Sequence, residues 1–197
     1  MFDSRLDATA HYSQPWRIHQ IAKDFRLLDV WALPTPGGPD DFPQLVRQIA
    51  TFDPEQTSLV VRGLFAIRWT IGWVFGLDRP QTGLGTRVET LSDRLPAELA
   101  NPPSGFESHK FTPLYATDEE CALEIANQTV HGVMHIGWVR EQGGGYRGQM
   151  AILVKPNGPL GVAYLTAIAP FRHLIVYPLM MRDIGRAWHQ SGAGTAS

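Results

Sequence analysis

Apolar residues along the C-terminal half of the chain follow two rhythms. In residues 170–188, PFRHLIVYPLMMRDIGRAW, Phe171, Leu174, Ile175, Pro178, Met181, Ile184 and Trp188 recur three or four apart. That spacing predicts a helix buried along one stripe. Pro170 suits a first helical position, and Arg186 and His189 suit the negative end of the helix dipole. Pro178, in mid-run, removes a backbone hydrogen bond and predicts a kink. Upstream the period falls to two. The runs 129–140, 146–155 and 160–168 read as strands, with shorter ones at 111–116 and 121–126. The Asn157-Gly158 pair predicts a hairpin between the last two long strands. Alternation puts Met134, Ile136 and Trp138 on one face of the central strand. His131, Val133, His135 and Val139 occupy the other. The Met134–Trp138–Met150 side is the expected inner face, leaving both histidines toward solvent.

The N-terminal half is less regular. Residues 1–20 form a polar leading segment that Trp16 and Ile18 could staple to the body. FRLLDVWAL, 25–33, predicts a first strand with Phe25, Leu27, Trp31 and Leu33 on one face. PTPGGPDD ends it as a turn cluster. Asp41 is a suitable N-cap for a helix over 42–52. The most apolar run is 59–77, LVVRGLFAIRWTIGWVFGL. It approaches the ~20 residues needed to cross a bilayer. Arg62 and Arg68 interrupt it, at about 2.5–3.5 kcal/mol for an arginine in mid-span. It is therefore read as a buried helix with Trp73 on its apolar stripe, and membrane contact is not expected. Residues 78–108, rich in Pro and Gly, form a long connection of the kind that can flank a portal.

Composition narrows the picture. The 197 residues fit one domain: a leading segment 1–20, a body 21–189 and a flexible tail 190–197. With 17 basic and 19 acidic residues and a net charge of −2, no basic stripe points to nucleic acid. The single cysteine, Cys121, rules out an intrachain disulfide and a four-thiolate zinc site, and agrees with a cytoplasmic location. The first residues lack the apolar core of a signal peptide. Six Trp and nine Phe are enough to line a cavity as well as a core.

Candidate chemistry is sparse. His131 and His135 would share a metal on a helix, but on a strand they stand roughly 13 Å apart. No metal site is expected, and a general acid–base role for one of them stays open. Gly143-Gly144-Gly145 precedes a strand rather than a helix, so it lacks the geometry of a phosphate cradle. Glu119 and Glu120 read as turn residues. Tyr164 and Tyr177 offer hydroxyls that could orient a ligand.

The runs TVHGVMHIGWV, GYRGQMAILVKPNG and PFRHLIVYPLMMRDIGRAW resemble an uncharacterised bacterial domain-of-unknown-function family. LPTPGG and the arginine-bearing run 59–77 are similar to it as well. Members of that family occur alone or behind a short-chain-dehydrogenase-like domain, and this chain has no Gly-x-Gly-x-x-Gly fingerprint after an early strand. The resemblance implies the START-like, Bet v 1-like (SRPBCC) helix-grip superfamily. Its plan is α+β, a curved antiparallel sheet wrapped around a long kinked C-terminal helix. No reaction, catalytic residue or cofactor carries over. The expectation is a protein that binds a hydrophobic small molecule or lipid in an internal cavity walled by Trp73, Met134, Trp138, Met150, Tyr164 and Tyr177. The alternative is an enzyme similar to polyketide cyclases or dehydratases, with a pocket His or Tyr as acid–base. The oligomeric state is left open.

Overall fold

The computed structural model describes residues 4–51, 89–99, 111–126 and 129–193. The apolar run 59–77, Trp73 and most of the 78–108 connection lie outside these residues. The strands are β1 (Arg5–Leu6), β2 (Arg26–Ala32), β3 (Thr112–Ala116), β4 (Glu120–Ala126), β5 (Val130–Arg140) and β6 (Tyr146–Pro156). They form one open six-stranded sheet in the order β1-β2-β6-β5-β4-β3, antiparallel throughout. The expected meander is therefore present from β3 to β6. At its longest hairpin, Gly144 and Gly145 take positive φ, which glycine tolerates without strain.

Both faces of the sheet are covered. On one, Trp31, Leu33, Ile136, Trp138 and Met150 pack against Phe42 and Leu45 of α3 (Phe42–Ala50) and against the C-terminal helix. This is the side expected to face inward. Asp41 precedes α3 but does not cap it through its side chain; its Oδ2 accepts from the Gly38 N–H at 2.7 Å. On the other face, Val30, Tyr115, Ala122, Val133, Ala151 and Leu153 pack under Trp16, Ile18 and Ile21, with Leu91 and Leu99. That cover comes from the leading segment, which folds into two short helices, α1 (Thr9–Tyr12) and α2 (Ile18–Ile21), and from two 3-10 turns within 89–99. His131 and His135 lie on this second face and are buried, not solvated as expected.

Strand β2 departs from simple alternation. Leu27 pairs with Leu153 and Asp29 with the adjacent Ile152, so Leu28 is an extra residue, a bulge. The bulge exchanges the faces. Phe25 and Leu27 join the layer under Trp16, whereas Trp31 and Leu33 join the layer under α3.

The expected strand at 160–168 is a helix, α4 (Gly158–Phe171). The reason lies in the sheet: β6 already has β2 on one edge and β5 on the other, so no edge remains for a hairpin partner. Gly158, at φ +74, turns the chain out of the sheet instead. Gly161 then lets α4 approach β5 closely, for a Cβ there would lie 2.1 Å from the Thr129 carbonyl oxygen. Tyr164 accordingly sits half-buried on α4 rather than on a sheet face.

After α4 comes a π-helical turn, Arg172–Val176, and then α5 (Tyr177–Ala193), so the helix begins well before Pro170. The irregularity expected at Pro178 takes the form of this π turn. Proline cannot donate to the carbonyl four residues back and its ring crowds that carbonyl, and the wider turn just before it makes room. α5 buries Tyr177, Met181 and Trp188 on the sheet. Its clamps are Trp188 Nε1 donating to Pro36 O at 2.9 Å and Gln48 Nε2 donating to Ile184 O at 2.9 Å. The uninterrupted helix Gly158–Ser191 would, by length and composition alone, be able to cross a membrane.

Candidate functional site

Strands β4 and β5 place two carboxylates beside two imidazoles. Ala122 pairs with His135 and Ala126 with His131, which puts Glu120 and Glu124 on the diagonals of those histidines, on the same face. Glu120 Oε2 lies 2.8 Å from His135 Nε2, and Glu124 Oε1 lies 2.6 Å from His131 Nε2. All four groups are buried. The sequence carries the pattern as Glu-x-x-x-Glu facing His-x-x-x-His across the hairpin. Reading Glu120 as a turn residue concealed it.

The two pairs differ in their surroundings. Glu124 is saturated: besides His131 it accepts from the Leu91 N–H at 2.8 Å and the Thr90 hydroxyl at 2.7 Å. The His131 ring packs edge-on against Phe25. This pair ties the 3-10 turns to the sheet. Glu120 accepts from His135, from the Tyr115 hydroxyl at 2.9 Å and from the Arg17 N–H at 2.7 Å. Burial raises its pKa, but the bond and charge of His135, the Arg17 N–H and Tyr115 outweigh it, and the net shift is downward. Burial, and then the neighbouring Glu120, drive the Tyr115 phenol far above its ordinary value.

A carboxylate only accepts, so His135 donates through Nε2. Its other nitrogen, Nδ1, is buried and has no partner. His11, fully buried, packs edge-on to the His135 ring, with centroids 5.1 Å apart and neither of its ring nitrogens partnered. His19 follows at 4.8 Å from His11, and its Nε2 is also unpartnered. Trp16 packs against His135 at 5.4 Å and lies flat on β5, where a Cβ on Gly137 would come within 2.5 Å of its ring. Its Nε1 has no partner either. Burial, then the His135 and His19 charges, lower the His11 pKa to about 3. His19 shifts down through burial and the charge of His135. Five buried nitrogens without partners are thus gathered on this one group of packed rings. Among the described residues no three His, Cys, Asp or Glu side chains are grouped so as to hold a metal ion.

A second polar cluster lies where the β2 bulge meets the π turn. The side chain of Asp29, fully buried, has Arg172 Nη2 3.0 Å and His173 Nε2 2.8 Å away, with Arg5 at 3.7 Å. Tyr177 donates its hydroxyl to Asp29 Oδ2 at 3.0 Å and packs on Trp31. Burial and the Asp29 charge raise the Tyr177 pKa well beyond the ordinary phenol range.

The expected wall residues are only partly brought together. Trp138, Met150 and Tyr177 share the layer under α3 and α5, with Met134 half-buried at its margin. They pack against Trp31, Phe42 and Trp188. Tyr164 stands apart on α4, and Trp73 lies outside the described residues.

Fold and site together define an α+β protein with one open antiparallel sheet, a long C-terminal helix and carboxylate–imidazole pairs buried on the opposite face. Residues 21–179 match the model of a family described as a protein of unknown function (DUF2867), and the chain belongs to that family. The match spans Asp29, Tyr115, Glu120 and His135, while His11, Trp16 and His19 precede it. No curated protein and no solved structure matches the chain.

Proposed function

We propose that the protein catalyses a proton transfer on a small organic molecule, with His135 as the acid–base group. One observation carries this reading: a buried imidazole is held by a carboxylate at one nitrogen and left without a partner at the other. Glu120 fixes the ring so that, in the neutral form, Nδ1 carries the lone pair, and the same carboxylate stabilises the imidazolium once a proton is taken. Tyr115 and the Arg17 N–H hold Glu120 in turn. The reaction class is abstraction of a proton next to a carbonyl, as in dehydration or ring closure, where the base later returns the proton. A weakly polar substrate fits this reading, because His135 is buried against the Trp16 ring. Sheet order and the C-terminal helix across the Trp138–Met150 face support membership of the helix-grip superfamily, and the buried free thiol of Cys121 supports a cytoplasmic location.

Deuterium uptake tests this. The protein is incubated in D2O with a series of β-keto thioesters and cyclic ketones, and exchange of the α-protons is followed by NMR. At least one probe is expected to exchange faster than in buffer, by roughly 10²-fold or more. His135→Gln and Glu120→Gln are expected to lose that excess while remaining folded. An undiminished rate in His135→Gln would refute the assignment.

The second reading is an apolar ligand, such as a lipid, taken up on the Trp138–Met150 face. It is favoured by the buried Trp31 Nε1, an N–H without a partner beside the Tyr177 ring. A retained ligand in native mass spectrometry, lost on Trp31→Phe, is the expected sign.

A further inference from the structure

The reading of His135 as the acid–base group leaves open how a fully buried imidazole exchanges protons with water. We propose that His19 and His11 relay protons between solvent and Nδ1 of His135, so that a file of three imidazoles serves the buried site. The proposal rests on that reading of His135 and adds two residues to it.

The file is laid out in space. His19 is half-buried and packs beside Tyr12, which is 57% exposed. Its ring meets that of His11 at 4.8 Å and 84°, and His11 meets His135 at 5.1 Å and 71°. The rings touch without a hydrogen bond between their nitrogens, so each proton transfer along the file requires a ring to turn. Glu120 closes the inner end, holding His135 Nε2. Among the described residues, Glu120 from β4, with Tyr115 from β3 bonded to it, is the acidic group coupled to the file, and the Trp16 ring packs on its inner member. Gln149 on β6 donates to the Ala10 carbonyl at 3.1 Å and pins α1, which carries His11, to the sheet.

Two features separate a relay from plain packing. His11 keeps two nitrogens buried without a partner, each an uncompensated desolvation that Phe would not incur. Imidazole is also the side chain that can take a proton at one nitrogen while releasing another from the opposite one. The proton balance is simple. When His135 has given its proton to a substrate, His11 donates one to Nδ1 and receives one from His19, which is refilled from water. His11 ends neutral with its tautomer inverted, and a ring flip resets it. The reverse sequence drains a proton taken from substrate. Burial keeps His11 and His19 neutral at rest, so the file does not trap the charge it passes.

The full chain, labelled with 15N in its histidines, tests this without a substrate. Long-range 1H–15N spectra at neutral pH are expected to show His135 protonated at Nε2, and the rate at which Nδ1 gains and loses a proton when the pH is stepped is then followed by its 15N shift. His11→Phe preserves ring shape and removes both orphaned nitrogens, so the melting temperature is expected to hold or rise. Proton exchange at His135 Nδ1 should then be slower by about tenfold or more. His19→Phe, at the half-buried end, should slow it in the same direction and serves if His11→Phe fails to fold. Unchanged exchange in these variants overturns the relay and leaves the acid–base reading intact. A His135 protonated at Nδ1 instead overturns that reading itself. Stoichiometric zinc binding that is lost in His11→Phe would also overturn the relay, assigning the three rings to a metal.

Discussion

Glu120 and Glu124 are four residues apart on one strand, bind histidine in the same way and do different things. Glu124 is closed by three donors and holds the 3-10 turns to the sheet, whereas the partner of Glu120 still has an unpartnered nitrogen and packs against His11. Trp16, which packs on the His135 ring, also packs on Gly137. The indole is rigid and lies against bare backbone, so any side chain at position 137 collides with it. Gly137→Ala is therefore expected to lower stability by about 1–3 kcal/mol. Trp16→Ala alone removes a buried aromatic ring, at about 3–5 kcal/mol. In the double variant the added methyl group no longer meets the ring, so the Gly137→Ala penalty should vanish. Urea unfolding of the four proteins measures the coupling, and additive losses would show that the contact does not limit position 137. The sequence makes His131 and His135 legible as same-face residues of one strand. It does not make their burial legible, because the cover comes from a segment with few apolar residues, Trp16, Ile18 and Ile21, lying over a hundred positions away.

At the scale of elements, the junction of β2 with the π turn carries the largest buried charge contact among the described residues. Asp29 sits beside the bulge, and Arg172, His173 and Tyr177 reach it from one stretch of helix. Asp29→Asn would leave the Arg172 guanidinium, whose side chain is 13% exposed, without its counter-charge. A loss of about 3–5 kcal/mol is expected, with faster amide exchange spreading from the π turn into α4. Asp24 is the control. It also has two basic partners, Arg94 and Lys155, but is 38% exposed, and Asp24→Asn should cost no more than about 1 kcal/mol. Equal effects of the two substitutions, compared by urea midpoints, would mean that burial does not govern these contacts. The elements that the sequence conceals cluster at this junction too. A bulge leaves no mark in an apolar run, so Leu27 and Trp31 look like neighbours on one face when they belong to opposite ones. Residues 160–168 alternate like a strand because Leu160 and Val162 are exposed apolar positions on a helix, where the period-two pattern is accidental. The helix that follows was legible because Met181, Ile184 and Trp188 are spaced by the layer they fill.

Over the whole molecule, protons link the two layers to stability, and the sign is the same at each acid-side group. His11 has a folded pKa of about 3 against 6.5 for the free side chain, so between those values the unfolded chain binds the proton and the folded one does not. Stability is then lost as pH falls below 6.5, with a slope approaching about 1.4 kcal/mol per pH unit for one proton. Glu120 and Glu124 have folded pKa values below 4.5, so their contribution is present above that value and is lost as pH falls through it. On the alkaline side the order reverses. The Cys121 thiol is pushed by burial from 9.0 to about 12, and Tyr115 and Tyr177 are raised above 10.0. There the unfolded chain loses its protons first, and stability falls as pH climbs past 9. The melting temperature should therefore plot as a dome between about pH 6.5 and 9, and its acid limb should begin well above the carboxylate range. His11→Phe is expected to move that limb down, since His19 and the carboxylates then remain to be protonated without it. If the limb stays where it is, the early loss belongs to a group other than His11, and His11 is not buried neutral.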